Sequence, residues 1–173
     1  GVEGKYIKLN VEKYGGMICS SWFDRPLSVA GRVIVREGDK LCTRLVNIDR
    51  DLLVIPNLAI HMNRDINDGY KYNVQKDMLP LYSCGGERGI FKKQISEAVN
   101  VSEGDILGED LYLYNRMPGT VWGANEEFVS SPKLDDLQCA FGTMMGLIES
   151  QDIRNVAVCC VLDNEEVGSE TKQ

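Results

Sequence analysis

A run of seven apolar residues, VAVCCVL at residues 156–162, constrains the fold more than any other segment. An uninterrupted apolar run of this length is typical of a strand buried on both faces, as in a parallel sheet. Four polar residues follow the run directly: Asp163, Asn164, Glu165 and Glu166. Because functional groups gather at the carboxyl ends of strands in open α/β sheets, these residues stand where a site is expected.

Two pairs of neighbouring carboxylates suggest a metal site. Glu165 and Glu166 would repel each other at a strand end unless a positive charge lay between them, and a divalent cation would keep both ionised. Asp135 and Asp136 fall at the start of a predicted helix and could converge on the same place. The alternative is that these four acids are solvated loop residues, as charged side chains commonly are. Spacing alone leaves both interpretations open.

The spacing of apolar residues changes along the chain, which predicts an α/β protein with a β-rich part. Period-two patterns predict strands at residues 5–16, 51–57, 78–83 and 110–115, and a hairpin over residues 31–48. Polar, turn-rich residues 63–73 predict a loop. Apolar residues at helical spacing predict one helix over residues 90–101 and a second within residues 130–152.

Composition excludes several classes of protein. The 173 residues carry a formal net charge of -7, so there is no basic excess to bind nucleic acid or an anionic membrane. No apolar run approaches the roughly 20 residues of a membrane helix, and the first ten residues lack a signal-peptide core. The six cysteines contain no C-x-x-C pair and are expected to be reduced thiols. We therefore expect a cytoplasmic protein.

Three segments together resemble the aspartyl aminopeptidase family of dinuclear zinc metallopeptidases. They are SWFDRPLSVAGRV at residues 21–33, IPNLAIHMNR at residues 55–64, and residues 131–173, which contain SPKLDDLQCAFG and VLDNEEVGSETKQ. The resemblance implies a catalytic α/β sandwich, here residues 1–25 and 108–173. It also implies an inserted β-rich dimerisation domain, here residues 26–107. Homodimers would build a higher oligomer that acts on peptide substrates, with acidic N-terminal residues preferred.

The resemblance also implies roles for four residues. Asp135, in the family's LD-D/N-L motif, would bridge two zinc ions, and Glu166 would bind one of them. Glu165 would be the general base that takes a proton from the attacking water. His61, the only histidine of the chain, would reach a neighbouring subunit's site and help to hold substrate. Manganese or cobalt could replace zinc in a site of this kind.

The family's remaining metal ligands have no counterpart in this sequence. They comprise the histidine of an H-x-D motif, a second aspartate and a last histidine, which would lie outside residues 1–173. We therefore expect the chain to be an internal portion of a longer protein and to be inactive by itself. Two other functions stay open: a non-catalytic oligomerisation or binding module, and a magnesium phosphoesterase that uses carboxylates alone. The phosphoesterase would lack a phosphate-binding glycine-rich loop.

Overall fold

The computed structural model describes residues 1–152 and 154–162. They fall into two compact units. The first comprises Gly1–Lys13 and Met17–Arg116, and the second comprises Tyr14–Gly16 and the described residues from Met117 onward. Both strands and helices are present, as predicted for an α/β chain. Within the described residues, no helix has the length and apolarity needed to cross a membrane.

The first unit contains six strands and two α-helices. The strands are β1 (Val2–Glu3), β2 (Tyr6–Lys8), β3 (Leu27–Glu37), β4 (Lys40–Asn47), β5 (Leu81–Cys84) and β6 (Ile106–Asn115). The helices are α1 (Val74–Asp77) and α2 (Ile90–Val99), and short 3-10 helices lie at Cys19–Trp22, Ile66–Asp68 and Glu103–Asp105. One antiparallel sheet has the order β4-β3-β6 and a smaller one has the order β1-β2-β5.

The predicted hairpin over residues 31–48 is confirmed by β3 and β4. Their pairing runs from Ala30 opposite Asn47 to Glu37 opposite Lys40. Gly38 occupies the turn with φ +62°, a conformation that glycine adopts without a steric penalty. β6 pairs with the other edge of β3 along almost its whole length, so β3, the longest strand, lies at the centre of this sheet.

The core lies on one face of this sheet. Val29, Val33 and Val35 alternate along β3 and are almost fully buried, as expected for side chains that share one face of a strand. The predicted helix over residues 90–101 is confirmed by α2, which contributes the fully buried Ile95 to the same core. The opposite face carries Leu41 and Leu45 of β4, which are 68% and 83% exposed.

Two predicted strands are shorter or less regular than expected. The strand predicted over residues 5–16 ends at Lys8, so this prediction is wrong beyond that residue. Its partner β5 is four residues long and follows Pro80, which has no N–H for a further ladder bond. Residues 51–57 form isolated bridges at Leu53, Val54 and Ile55 instead of a continuous strand.

The second unit contains a small hairpin and a long helix. The strands β7 (Thr120–Trp122) and β8 (Phe128–Ser130) pair with each other. The Trp122 and Phe128 rings stack with their centroids 4.7 Å apart. The helix α3 spans Leu134–Ile148, which confirms the helix predicted within residues 130–152.

The prediction of a buried strand at residues 156–162 is wrong. This run has no strand conformation, and Val156 and Leu162 are 91% and 78% exposed. A strand buried on both faces needs paired neighbours and a covering layer on each side. Within the described part of the chain, β7 and β8 pair only with each other, so nothing there provides those neighbours.

Candidate metal and substrate site

Two of the predicted acidic residues lie at the start of α3. Asp135 and Asp136 occupy the first turn, where the helix dipole favours negative charge. Asp135 has φ -85° and ψ 115°, so its backbone is extended although its neighbours are helical. The peptide bond between the two aspartates is cis. Both residues are exposed, which leaves their carboxylates accessible to a ligand.

The Asp135 carboxylate has the chemistry of a zinc ligand but stands without a complete ligand set. Carboxylate oxygens bind zinc at about 2.0–2.2 Å, usually together with histidine nitrogens or further carboxylates. Within residues 1–152 and 154–162, no three His, Cys, Asp or Glu side chains are grouped as a metal site. Among the described residues, Asp135 is therefore the one predicted metal ligand that can be placed.

The other two predicted residues of this site lie beyond the part of the chain that the structure describes. Glu165 and Glu166 belong to residues 163–173, which fall outside the described ranges. Their assignments as general base and metal ligand stay predictions. The role of Asp135 as a bridging ligand also stays a prediction.

His61 lies in an exposed loop of the first unit. The loop forms a turn in which the N–H of Met62 donates to the Ala59 carbonyl at 2.8 Å and the N–H of Asn63 donates to the same oxygen at 3.2 Å. His61 is exposed, and so are its neighbours Ile60 and Met62. An exposed imidazole flanked by apolar side chains is suited to contact another molecule, and its role in substrate binding stays a prediction.

A carboxylate that sequence reasoning missed anchors this loop. Asp24 accepts hydrogen bonds from the backbone N–H of Asn57 at 2.9 Å and from the Asn57 side-chain amide at 2.8 Å. The N–H of Asp24 donates to the Ile55 carbonyl at 2.9 Å. The backbone hydrogen bond from Asn57, followed by its side-chain bond, lowers the pKa of Asp24 from the usual value of 3.8. The carboxylate therefore stays ionised at neutral pH.

The signal for this contact in the sequence is weak. Asp24 and Asn57 are separated by 33 positions, and neither belongs to a recognisable spacing. Asp24 has φ +56°, a left-handed conformation that aspartate tolerates better than most residues. Asn57 directly follows Pro56, and both residue types favour turns. These local preferences indicate two bends in the chain, but they do not indicate that the bends meet.

A shallow depression on the first unit has a volume of about 420 Å³ and lies between residues 51–54 and 81–84. It is lined mainly by Leu52, Leu53, Val54, Leu81 and Tyr82, with Asp51 at its margin. It contains none of the predicted site residues. Its walls are open and mostly apolar, and we assign it no catalytic role.

Comparison with known proteins identifies similar sequences along the whole chain. A family model described as "Aminopeptidase I zinc metalloprotease (M18)" matches residues 2–173. The probable M18 family aminopeptidase 2 of Clostridium acetobutylicum is 45% identical over 177 residues, which cover 99% of this chain and 41% of that protein. The aspartyl aminopeptidase of Dictyostelium discoideum is 33% identical over 207 residues, covering 97% of this chain and 43% of that protein.

Solved structures share the fold. A chain of the structure described as "Cryo-EM structure of the Ape4 and Nbr1 complex" matches with a TM-score of 0.86 and 31% identity, over 100% of this chain and 38% of that chain. Chaetomium thermophilum mApe1 matches with a TM-score of 0.75 and 28% identity, over 88% of this chain and 38% of that chain. The chain thus spans less than half the length of the proteins that it matches.

Proposed function

Since this chain belongs to the aminopeptidase I zinc metalloprotease (M18) family, we propose that it forms part of a metalloaminopeptidase that removes N-terminal residues from peptides. The observation that carries the proposal is the family match over residues 2–173. A preference for N-terminal Asp or Glu is supported by the name of a similar protein, the aspartyl aminopeptidase of Dictyostelium discoideum. The activity belongs to the longer protein, and the 173-residue chain alone is expected to be inactive.

The family description names zinc, and we propose a site for two ions, with manganese or cobalt as possible substitutes. Asp135 would bridge the ions and Glu166 would bind one of them. The exposed carboxylate of Asp135 at the start of α3 supports this assignment, since it is accessible and of the right chemistry. When bound, the ions polarise the peptide carbonyl and make water more acidic.

The remaining chemistry is assigned to two side chains. Glu165 would accept a proton from the attacking water and then donate it to the leaving amine, which is general base and then general acid catalysis. His61 would reach the active site of a neighbouring subunit and help to hold the bound peptide. The exposure of His61 in a loop supports this role, because a buried imidazole could not reach another subunit.

The proposed domain organisation is a catalytic α/β sandwich, residues 1–25 and 108–173, interrupted by an inserted dimerisation domain, residues 26–107. The strand Ile106–Asn115 spans the proposed boundary at residue 108 and pairs with β3 of the inserted part. The six free thiols support the predicted cytoplasmic location, since disulfides are rare in that compartment.

Metal content and hydrolysis by the full-length protein test the enzymatic proposal. The measurements are metal bound per subunit and turnover of Asp- and Glu-anilides by wild type, Glu165→Gln and Asp135→Asn. Asp136→Asn is the matched control for Asp135, because the family motif accepts Asn at that position. Glu149→Gln, an exposed glutamate just after α3, is the control for Glu165.

The proposal expects two metals per subunit in the wild type. Glu165→Gln should lose at least about 100-fold in kcat while retaining metal, as expected when a general base is removed. Asp135→Asn should lose metal and activity together, whereas both control variants should keep them. A wild-type protein that binds no metal and hydrolyses no anilide even with added zinc or manganese would leave the non-catalytic module as the better interpretation.

Self-association is a second proposed function, and the exposed face of the β4-β3-β6 sheet supports it. Leu45, Arg32 and Asp110 lie in one row across the three strands, and Arg32 pairs with Asp110 at 3.1 Å. Leu41 and Tyr112 extend the apolar part of this face. Exposed apolar side chains beside charged ones on one face of a sheet are suited to contact a second copy of the chain.

Analytical ultracentrifugation of full-length variants tests this surface. Leu45→Glu should shift the protein towards smaller assemblies, because a charge would be buried in the contact between two copies. Val2→Glu, at an exposed apolar position of the other sheet, is the control and should leave the assembly unchanged. An assembly that is unaffected by Leu45→Glu would exclude this face as the contact.

A further inference from the structure

We infer that Asp24 is a positioning residue that fixes the direction of the 57–63 loop and thereby places His61 for substrate binding. The inference rests on the proposed role of His61 and adds a residue that no motif identified. Asp24 touches neither substrate nor metal in this proposal. It acts through Asn57, which is four positions before His61.

The contact between Asp24 and Asn57 restrains both backbone and side chain. One carboxylate oxygen accepts the Asn57 backbone N–H at 2.9 Å, and the other accepts the side-chain amide at 2.8 Å. Two bonds from one residue to the two oxygens of a carboxylate fix orientation as well as distance. The N–H of Asp24 also donates to Ile55, so the two chain segments are connected in both directions.

The residues beside this contact are part of the core. Phe23 and Ile55 form a parallel bridge and are 7% and 1% exposed. Movement of either residue would disturb close packing, which makes the base of the loop rigid. Asp24 and Asn57 are exposed and stand directly at the edge of this rigid part.

Directly beyond Asn57, the backbone hydrogen bonds of the loop are short-range. Among the described residues, the backbone hydrogen bonds of residues 58–63 join Ala59, Ile60, Met62 and Asn63 to one another, with one further bond from Ile66 to Asn63. Leu58 and Met62 are exposed and add no core packing. On the N-terminal side of His61, the Asp24–Asn57 contact is therefore the last hydrogen-bonded connection to the core among the described residues. On the C-terminal side, Tyr72 stacks on Phe23 with ring centroids 5.0 Å apart.

The charge of Asp24 is matched to this task. Both oxygens of an ionised carboxylate accept hydrogen bonds, so Asp24 can accept from the backbone N–H and from the side-chain amide of Asn57. An asparagine at position 24 has one oxygen and one NH2 group, and the NH2 group would face one of these two N–H donors. Asp24→Asn preserves size and removes the charge, so one of the two bonds is lost or the amides must rotate. The loop should then leave the core in several directions, and His61 should occupy its productive position less often.

Kinetics of the full-length protein test the inference. Asp24→Asn should raise KM for an Asp-anilide by about tenfold, the effect expected from losing one hydrogen bond to a charged group. It should change kcat by less than about threefold and leave metal content unchanged, because binding and not the chemical step is affected. His61→Ala should raise KM at least as much.

Asp77→Asn is the matched control. Asp77 accepts the backbone N–H of Asn73 at 2.6 Å and the Tyr70 hydroxyl at 3.1 Å, so it also anchors a loop of the first unit. This contact lies on the C-terminal side of His61, at the far end of the same connection between Ile55 and α1, so it tests whether any anchor of that connection has the same effect. If Asp24 had a general structural role only, Asp77→Asn and Asp24→Asn would alter KM to the same small extent.

The double variant distinguishes positioning from other effects. If Asp24 acts through His61, Asp24→Asn combined with His61→Ala should raise KM no further than His61→Ala alone. Additive effects on KM would overturn the inference, and so would an unchanged KM in Asp24→Asn. An unchanged KM in His61→Ala would overturn it as well, while loss of hydrolysis in Glu165→Gln would still support the proposed enzyme.

Hydrogen exchange provides a measurement that does not depend on activity. Amides of residues 58–63 should exchange faster in Asp24→Asn than in wild type or Asp77→Asn, because the base of the loop opens more often. Equal exchange in all three proteins would overturn the anchoring whether or not the protein hydrolyses anilides. Faster exchange in a protein without hydrolytic activity would support the anchoring and refute the enzymatic proposal.

Discussion

Gly31 allows β6 to approach the centre of β3 closely, and its replacement by alanine tests the packing of the sheet. A Cβ atom at this position would lie 2.1 Å from the Asp110 carbonyl oxygen and 2.9 Å from the Leu111 Cα. Both neighbours are backbone atoms of β6, so no side-chain rotation can relieve the overlap. The two strands would have to separate by roughly 1 Å to restore ordinary contact distances.

The expected cost of Gly31→Ala has three parts. Overpacking in a well-packed region costs about 1–3 kcal/mol. Separation of the strands weakens one or two ladder bonds, each worth about 1 kcal/mol. Gly31 has φ +154°, a conformation that alanine adopts with an additional penalty of about 1 kcal/mol. Together these effects predict a loss of about 4 kcal/mol in the local opening free energy of the sheet.

Native-state hydrogen exchange of the full-length protein measures this local free energy. Protection of the β3 and β6 amides should fall by about three orders of magnitude in Gly31→Ala, since each 1.4 kcal/mol is a factor of ten. Gly38→Ala is the control, because Gly38 has φ +62° but no atom within 4 Å of its Cβ position. That variant should lose about 1–2 kcal/mol. A Gly31→Ala effect no larger than that of Gly38→Ala would refute the close approach of β6.

Three further predictions concern stability. Leu27→Ala should lower the free energy of unfolding by about 3 kcal/mol, whereas Ile18→Ala should change it by less than about 0.5 kcal/mol, because the two side chains are 0% and 75% exposed. Thermal denaturation would show equal effects if the assigned burial were wrong. Arg116 donates to the carboxylates of Asp49 and Asp51, which raise the pKa of Arg116. Arg116→Met should therefore lower the melting temperature, and the difference should shrink with added salt. A difference that does not depend on salt would contradict an electrostatic cause. The pKa of Asp24 is lower in the folded protein, so its stabilisation is complete above the usual value of 3.8 and is lost as the pH falls through the folded pKa. The stability difference between wild type and Asp24→Asn should therefore stay constant from neutral pH to about pH 4 and diminish below it, as denaturant titrations at each pH would show.

The elements predicted correctly are those that depend on neighbouring residues in the sequence. Alternation in β3 and β4, together with Gly38 at the turn, specifies the hairpin through local periodicity and turn chemistry. The stripe of apolar residues in α2 specifies a helix and the face that Ile95 buries. Asp135 could be assigned to a helix start for the same local reason, since acidic residues favour the first turn.

The errors concern elements whose state depends on a partner. Residues 9–16 continue an alternating pattern, yet the strand ends at Lys8 because β5 is short and begins after a proline. Residues 156–162 are as apolar as a buried strand, but hydrophobicity states only that a segment can be buried. A strand also needs neighbours that satisfy its backbone hydrogen bonds, and none pairs with this run in the described residues.

The sequence by itself determined the hairpin, the two long helices and, through the family resemblance, which carboxylates to examine. Local patterns suffice there because turns and periodicity act between residues a few positions apart. Only the tertiary structure decided that Asp24 meets Asn57 and that Gly31 lies against β6. These contacts join residues far apart in the chain, and their geometry is set by how the strands pack, which no local pattern records.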